Sequence, residues 1–237
     1  MGYVEGFVVA VPAANKEVYR RHAAAAAPLF KEFGVTRHVE AWGDDVPDGK
    51  LTDFKGAVKA EPGEVIVFSW FEYPDRATRD AANEKIMSDP RMRELADEMP
   101  FDARRMIYGG FASLVDAGGA ERGGYVDGSL LPVPDGKKEA FGAWAAKVAA
   151  VFCEHGAVRV VDAWGDAVPD GEVTDFKGAV KATEEEKVVF GWVEWPSKAV
   201  RDTAWPAVMG DPRIHPEEEL FDGRRMIYGG FTPILDV

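Results

Sequence analysis

A block of twenty residues that occurs twice constrains this chain more than any other feature. It reads Ala41–Ala60 and returns, nearly unchanged, as Ala163–Ala182 at an offset of 122 residues. The similarity extends along both halves of the 237 residues, and each half has the length of a small domain. We therefore predict two units, 1–115 and 125–237, joined by a glycine-rich linker at 116–124.

Each unit is predicted to contain four strands and two main helices. Alternating side chains indicate strands, while capping residues, glycine and Asp-Pro pairs mark the helix ends. The predicted elements of the first unit are the strand Tyr3–Val11, a helix from Asn15 to about Phe33, the strand Val35–Trp42, an extended arm from Thr52 to Lys59, the strand Val65–Tyr73, a helix from Asp75 to about Ser88, and the strand Arg104–Val115. This β-α-β-β-α-β order is that of the ferredoxin-like split βαβ arrangement.

A four-stranded sheet with helices on one face leaves its other face bare. In this chain that face carries aromatic and aliphatic residues, so it requires a cover. The short linker keeps the second unit close enough to supply it. We therefore predict an α+β fold in which two ferredoxin-like βαββαβ repeats form an intramolecular pseudo-dimeric α/β barrel, with further homo-oligomerisation left open.

Charge and composition restrict the partners. Twenty-eight Lys and Arg residues against 41 Asp and Glu residues give a formal net charge of −13, which repels phosphate backbones and argues against nucleic acid. No apolar run reaches the roughly 20 residues that span a bilayer, so no membrane partner is predicted. The single cysteine, Cys153, cannot form an internal disulfide and suits a reducing compartment. The predicted localisation is cytoplasmic.

Three blocks of sequence resemble a known family. The blocks Tyr3–Val9, Trp42–Lys55 and Phe101–Phe111, with their counterparts in the second unit, resemble the YbaA-like family of small bacterial proteins of unknown function. The resemblance covers nearly all of both units and implies the dimeric α+β barrel superfamily, in which two ferredoxin-like units associate through their sheets. A family member is normally a single unit, so this chain is a tandem duplication with its partner built in.

The resemblance does not select an activity. The superfamily includes cofactor-independent monooxygenases, small-lactone isomerases, haem enzymes and proteins with no known catalysis, and fold alone does not choose among them. The family itself implies no catalytic residue that could be carried over to this chain.

Metal and cofactor sites are not predicted. The segment Asp44–Gly49 looks like the start of an EF-hand loop, but Val46 stands at the third position and Lys55 at the twelfth, where calcium requires acidic ligands. The other candidate ligands lack a convergent second pair of histidines or cysteines. These candidates are His22, His38, Cys153 and His155.

A polar and aromatic set on the strands is the strongest candidate for a site. Glu5, Glu40 and Glu72 alternate in phase with aromatic neighbours, and we expect them to point into one space between the sheets as proton-transfer groups. The candidate ligand-binding residues are Tyr3, Trp42, Trp70, Tyr108, Tyr125, Asp127, Asp162, Trp164, Trp192, Glu194 and Tyr228. The alternative is that the carboxylates form structural ion pairs with nearby arginines such as Arg37 or Arg105.

The sequence is compatible with two functions. The first is binding of a small, partly apolar organic molecule, including cofactor-independent acid–base or oxygenase-type chemistry. The second is a non-catalytic stress-related or assembly protein with a packed barrel interior. The units also differ: Phe7, His38 and Asn83 have the counterparts Ser129, Val160 and Trp205, so two pockets would have different linings.

Overall fold

The computed structural model of this protein describes residues 2–96, 98–119 and 121–237, and within them the chain forms eight β-strands and seven α-helices. The strands are β1 (Tyr3–Pro12), β2 (Arg37–Asp45), β3 (Glu64–Tyr73), β4 (Ile107–Gly118), β5 (Tyr125–Pro134), β6 (Arg159–Ala167), β7 (Glu186–Trp195) and β8 (Ile227–Asp236). The helices are α1 (Lys16–Phe33), α2 (Phe54–Ala57), α3 (Arg76–Ser88), α4 (Pro90–Ala96), α5 (Lys138–Glu154), α6 (Phe176–Ala179) and α7 (Lys198–Gly210).

The eight strands form one closed antiparallel barrel in the order β1-β3-β2-β8-β5-β7-β6-β4. The first half of the chain contributes β4-β1-β3-β2, and the second half contributes β8-β5-β7-β6 in the same relative order. The halves join at two seams, β2 with β8 and β4 with β6. The α+β barrel predicted from the sequence is confirmed.

The interior of the barrel is a packed aromatic core. The rings of Phe68 and Phe190, one from each half, stack with centroids 4.5 Å apart, and Trp70 stacks on Trp192 at 4.6 Å. All four residues are essentially inaccessible to solvent. The interior therefore supplies hydrophobic stabilisation.

The repeated loop forms a helix where an extended arm was predicted. That prediction, for Thr52–Lys59, is wrong because Asp53 caps the short helix α2: its carboxylate accepts hydrogen bonds from the backbone amides of Gly56 at 2.6 Å and Gly49 at 2.9 Å. A side-chain oxygen that accepts the first free amides of a helix favours the helical conformation. These hydrogen bonds show that the Asp53 carboxylate stabilises the local fold of the loop between Gly49 and Gly56.

This loop ties the two halves together. Phe54 from α2 is fully buried in the barrel and meets the ring of Phe231, from β8, at 5.5 Å. The hydroxyl of Thr174 in the second loop donates a hydrogen bond to the carbonyl of Ala57 in the first, at 2.5 Å. The loop that identifies the repeat is therefore part of the interface between halves.

The main helices cover the outer face of the barrel. Helices α1 and α3 pack on strands of the first half, with α4 beside them, α7 packs on β7, and α5 lies over the seam between β4 and β6. Helix α1 ends where Gly34 adopts a φ of +116°, a conformation that favours glycine. Strand β4 continues to Gly118, into the segment assigned to the linker from the sequence. In the ranges described above, every helix is too short or too polar to cross a bilayer.

Candidate functional site

A cavity of about 580 Å³ lies in the first half, outside the barrel. Its floor is the outer face of β1, β3 and β2, and helices α1, α3 and α4 form its walls and roof. Most of its surface is apolar, with side chains such as Met92, Leu95 and Phe101 in the roof. Tyr108 and Met87 stand at its edge and are 48% and 80% exposed.

The strand register explains which polar groups reach the floor. Alternate residues of a strand face opposite sides of the sheet, and residues paired across strands lie side by side. One row across the three strands places Glu5, Phe71 and His38 next to each other. The adjacent row holds Phe7, Ser69 and Glu40. Two carboxylates, a histidine and a serine are thus brought together on one face.

Glu40 is held by three donors. The hydroxyl of Tyr19, on α1, donates to Glu40 Oε2 at 2.7 Å, and the Ser69 hydroxyl donates to the same oxygen. The Nε2 atom of His38 lies 2.7 Å from Glu40 Oε1. Burial, and next the charge of Glu40, raise the pKa of Tyr19 well above 10.0, so the phenol stays protonated as a donor. The carboxylate is fixed in one orientation.

Glu5 is buried in a second polar cluster on the same floor. Asn83 Nδ2, from α3, donates to Glu5 Oε1 at 3.1 Å, and the Tyr73 hydroxyl lies 3.4 Å from Oε2. The Arg79 guanidinium is 3.3 Å from the carboxylate. Burial raises the pKa of Glu5, and the charge of Arg79 opposes this increase. A carboxyl group with a raised pKa is suited to carrying a proton.

The histidine on the opposite wall belongs to α1. His22 lines the cavity, and burial lowers its pKa, which favours the neutral imidazole. It is not hydrogen bonded to the Glu40 cluster. Among the described residues, no group of three or more His, Cys, Asp or Glu side chains is arranged to hold a metal ion.

The corresponding region of the second half is filled by aromatic side chains. Trp144 replaces His22, and its indole NH donates to the carbonyl of Ile214 at 3.1 Å. Trp205 replaces Asn83 and meets the ring of Phe152 at 6.1 Å. These larger rings occupy the space that is open in the first half.

The polar network is also missing from the second half. The counterparts of Tyr19, His38 and Ser69 are Phe141, Val160 and Gly191, so Asp162, the counterpart of Glu40, has none of the three donors. Burial raises the pKa of Asp162 to about 7. Asp127, the counterpart of Glu5, accepts hydrogen bonds from Arg201 at 3.0 Å and from Trp195 at 2.8 Å.

Glu72 lies away from the cavity, at one mouth of the barrel. Each arginine there reaches across to the other half: Arg159 binds Glu72 at 2.7 Å and Arg37 binds Glu194 at 2.8 Å. The indole NH of Trp70 donates a hydrogen bond to Glu72, and that of Trp192 donates to Glu194, both at 3.1 Å. The expectation that Glu5, Glu40 and Glu72 share one space is wrong, because Glu72 lies on the inner face of β3 with Trp70.

The remaining predicted residues are distributed over the outer face and the seams. Tyr3 and Tyr125 donate across the two halves to Asp166 at 3.1 Å and Asp44 at 3.0 Å. Trp42 and Trp164 are buried beneath the helices, each under a lysine nitrogen 5.3 Å from its ring. Tyr228 is 51% exposed. The structure brings Glu5, Glu40 and Tyr108 to the cavity and leaves the other candidates outside it.

Four polar residues of the cavity were not among the predicted site residues: Tyr19, His38, Ser69 and Asn83. Each of them differs between the halves, whereas the predicted set was chosen for its alternation with aromatic residues along the strands. Differences between two copies of one fold mark positions where the copies do different things. Two of these differences, at His38 and Asn83, were noted from the sequence, and a comparison of the halves at every position would have pointed to the cavity.

The chain matches the family described as "Protein of unknown function (DUF1428)" over residues 2–103 and again over residues 124–223. It belongs to this family. The chain is 66% identical over 116 residues to the "Uncharacterized protein YbaA" of Escherichia coli (strain K12), and the match covers 49% of this chain and 99% of the relative. The YbaA protein of Shigella flexneri gives the same values. The tandem duplication of a YbaA-like domain is confirmed.

Solved structures with the same fold share little sequence with this member of the DUF1428 family. A putative monooxygenase from Lactobacillus acidophilus NCFM superposes with a TM-score of 0.60 at 10% identity, over 100% of this chain and 95% of that one. A putative monooxygenase from Fusobacterium nucleatum gives 0.59 at 7% identity, over 99% and 93%. An anthrone oxidase-like protein gives 0.51 at 8% identity, over 100% and 92%. At these identities the likeness shows the fold alone.

Proposed function

We propose that the first half of this protein binds a small, mostly apolar organic molecule in the cavity outside the barrel. The observation that carries the proposal is the cavity of about 580 Å³ whose floor bears two buried carboxylates, Glu5 and Glu40. Cavities of this size accommodate ligands of a few rings, and a few polar groups in an apolar lining fix the orientation of such ligands.

The polar floor defines the chemistry of the ligand. Glu40 and Glu5 offer acceptor oxygens, so a ligand with a hydroxyl or similar donor would be held at its polar end. The methionine and phenylalanine side chains of the roof suit aromatic rings. A hydroxylated polycyclic aromatic molecule meets both requirements.

The reaction class we propose is cofactor-independent acid–base chemistry, with an oxygenase-type reaction as its extension. Glu5, with its raised pKa, and Glu40 are the proposed proton-transfer groups. The shared fold with putative monooxygenases and an anthrone oxidase-like protein makes oxygen a co-reactant to test. Glu72 has no place in this proposal, because it lies at the barrel mouth in an ion pair with Arg159.

The architecture that we propose is an internal pseudo-dimer. The matching strand orders β4-β1-β3-β2 and β8-β5-β7-β6 support two ferredoxin-like repeats, 1–115 and 125–237, joined through 116–124. The single-unit length of the YbaA relatives supports the same division. In this arrangement the second half acts as the partner that closes the barrel, and the packed interior favours a purely structural role for that half.

Filling the cavity tests the binding proposal. The double variant His22→Trp/Asn83→Trp gives the first half the two tryptophans that the second half already accommodates at these positions. Calorimetric titration of 1-naphthol and of anthrone should give binding to the unmodified protein, and the double variant should bind at least about tenfold more weakly, because its rings occupy the site.

Arg21→Trp is the matched control, since it adds a tryptophan on the exposed side of the same helix. It should bind as the unmodified protein does. Native mass spectrometry of the purified protein would add any ligand retained from the cell. Equal binding by the double variant and the unmodified protein, or no bound molecule in either measurement, would remove the proposal.

A further inference from the structure

His38 is the buried group in the cavity whose role the packing does not explain. It lies on β2, is 1% exposed, and forms part of the cavity lining. Its Nε2 atom lies 2.7 Å from Glu40 Oε1. Its other ring nitrogen, Nδ1, is buried and has no hydrogen-bond partner among the described residues. Buried polar atoms are nearly always paired, so an unpaired one in a cavity wall points to a missing partner.

The contact with Glu40 determines which nitrogen carries the proton. A neutral imidazole has one N–H donor and one acceptor nitrogen. The carboxylate already accepts hydroxyl donors from Tyr19 and Ser69, so its second oxygen requires a donor from His38. The proton is therefore on Nε2, and Nδ1 is left as an unprotonated acceptor.

We propose that His38 Nδ1 accepts a proton from a weakly acidic hydroxyl group of the ligand, of the phenol or enol class. The proposal rests on the proposed function of the cavity. The ligand O–H bond breaks, a new N–H bond forms at Nδ1, and the electron pair stays on the ligand oxygen as a phenolate or enolate. His38 becomes an imidazolium whose Nε2–H faces the Glu40 carboxylate.

The surroundings of His38 suit this step. Phe30 and Phe71 meet the imidazole edge to face, with ring centroids at 5.5 Å and 4.6 Å, and hold the ring in place. A carboxylate on the far nitrogen stabilises the protonated imidazole and orients the ring. Tyr19 and Ser69 act as positioning residues, since they touch Glu40 and orient it.

The other ionisable groups of the cavity lie on separate elements. Glu5 on β1 is paired with Arg79, His22 is on α1, and Tyr108 is on β4 at the edge of the cavity. Arg93 on α4 brings a positive charge to the lining. The anion that remains after proton transfer thus has a cation within the same cavity. The second half has Val160 in place of His38, so the proposal assigns the chemistry to the first half alone.

The tautomer can be tested without a ligand. Nitrogen-15 NMR of the side chains, with the signals of His38 identified by their loss in His38→Val, should show a protonated Nε2 and an unprotonated Nδ1. Val is the residue that the second half carries at this position, so the variant is expected to fold. Glu40→Gln should weaken the preference and give a mixture of tautomers. A proton on Nδ1 in the unmodified protein would overturn the proposal.

The proton transfer can be tested with 4-nitrophenol, whose phenolate absorbs visible light. Bound to the unmodified protein it should titrate with a pKa lowered by about one unit, which gives an about tenfold higher ratio of phenolate to phenol at equal pH. The shift should vanish in His38→Val, measured at 4-nitrophenol concentrations that saturate each protein.

Each other outcome of the 4-nitrophenol titration contradicts a distinct claim. If both proteins bind the neutral phenol with the same pKa, the role of His38 is wrong and the cavity remains a binding site. If neither protein binds 4-nitrophenol, the phenol class is wrong, and the naphthol and anthrone titrations decide separately whether the cavity binds ligands.

Discussion

Asn83 and Trp205 occupy the same position in the two halves of one barrel and have opposite effects on the space around them. Asn83 donates a hydrogen bond to Glu5 at 3.1 Å and lines an open cavity. Trp205 packs on Phe152, and the guanidinium of Arg201 lies over the Trp205 ring, 4.6 Å from the ring centroid. Substitutions of this kind in a duplicated fold distinguish a half with an open cavity from a half filled by aromatic side chains.

Opening the second half should reproduce a cavity there. We expect the double variant Trp144→His/Trp205→Asn to lose about 3 kcal/mol of unfolding free energy in urea denaturation, because the removed rings leave a void. We also expect it to bind a second equivalent of 1-naphthol. A variant that keeps full stability and gains no binding would show that the two tryptophans are not what fills this region.

Much of the fold could be predicted because the sequence is duplicated, which divides the chain into two similar units. The repeated block at Ala41–Ala60 gave two units, their strand patterns, and the need for each sheet to cover the other. The helix α2 could not be predicted in this way, because four residues carry too little periodicity. Its existence depends on the Asp53 cap, which competes with the extended conformation at short range.

The site was harder to predict because alternation along a strand gives two faces without saying which face is inside. Glu5, Glu40 and Glu72 all alternate with aromatic residues, yet the first two face the helices and Glu72 lies on the inner face. Only the register between strands relates the phase of one strand to that of the next. The register also places Ser69 of β3 beside Glu40 of β2, a pairing that the pattern of neither strand shows alone.

The ion pairs at the barrel mouth should contribute to stability and not to ligand binding. Glu194 is 1% exposed and accepts hydrogen bonds from Arg37 and Trp192. We expect Glu194→Gln to lower the unfolding free energy by about 2 kcal/mol, because Arg37 stays buried with one carboxylate fewer. Naphthol affinity should not change. Glu17→Gln is the control: it removes the exposed ion pair with Arg20 and should leave the unfolding free energy unaltered. If Glu17→Gln lowered the unfolding free energy as much as Glu194→Gln does, burial would not explain the effect.

The aromatic core leaves room for no side chain at Gly6. A Cβ atom there would stand 2.6 Å from the ring of Phe190, which cannot retreat because Phe68 stacks on it at 4.5 Å. We expect Gly6→Ala to cost about 2 kcal/mol in urea denaturation, as overpacking in cores does. Gly136→Ala is the control, since a Cβ at Gly136 meets nothing within 4 Å. Equal stability of the two variants would mean that the barrel core can expand.

Asp162 should make the stability of the protein depend on pH. Burial raises its pKa from 3.8 to about 7, so the folded state holds the proton more tightly than the unfolded state does. This contribution to stability is complete below 3.8 and is lost as the pH rises through about 7. Above that pH the folded protein must carry a charge that has no donor of the kind that holds Glu40.

Asp162→Asn removes that charge and tests the sign of the effect. We expect the variant to be about 2 kcal/mol more stable than the unmodified protein at about pH 8, and the two to differ little at about pH 4, where Asp162 is neutral when folded. The difference is smaller than a fully buried carboxyl group would give, because Asp162 keeps some contact with solvent. Urea denaturation at both pH values measures the difference. A gain in stability that is the same at both would assign it to packing and contradict the raised pKa.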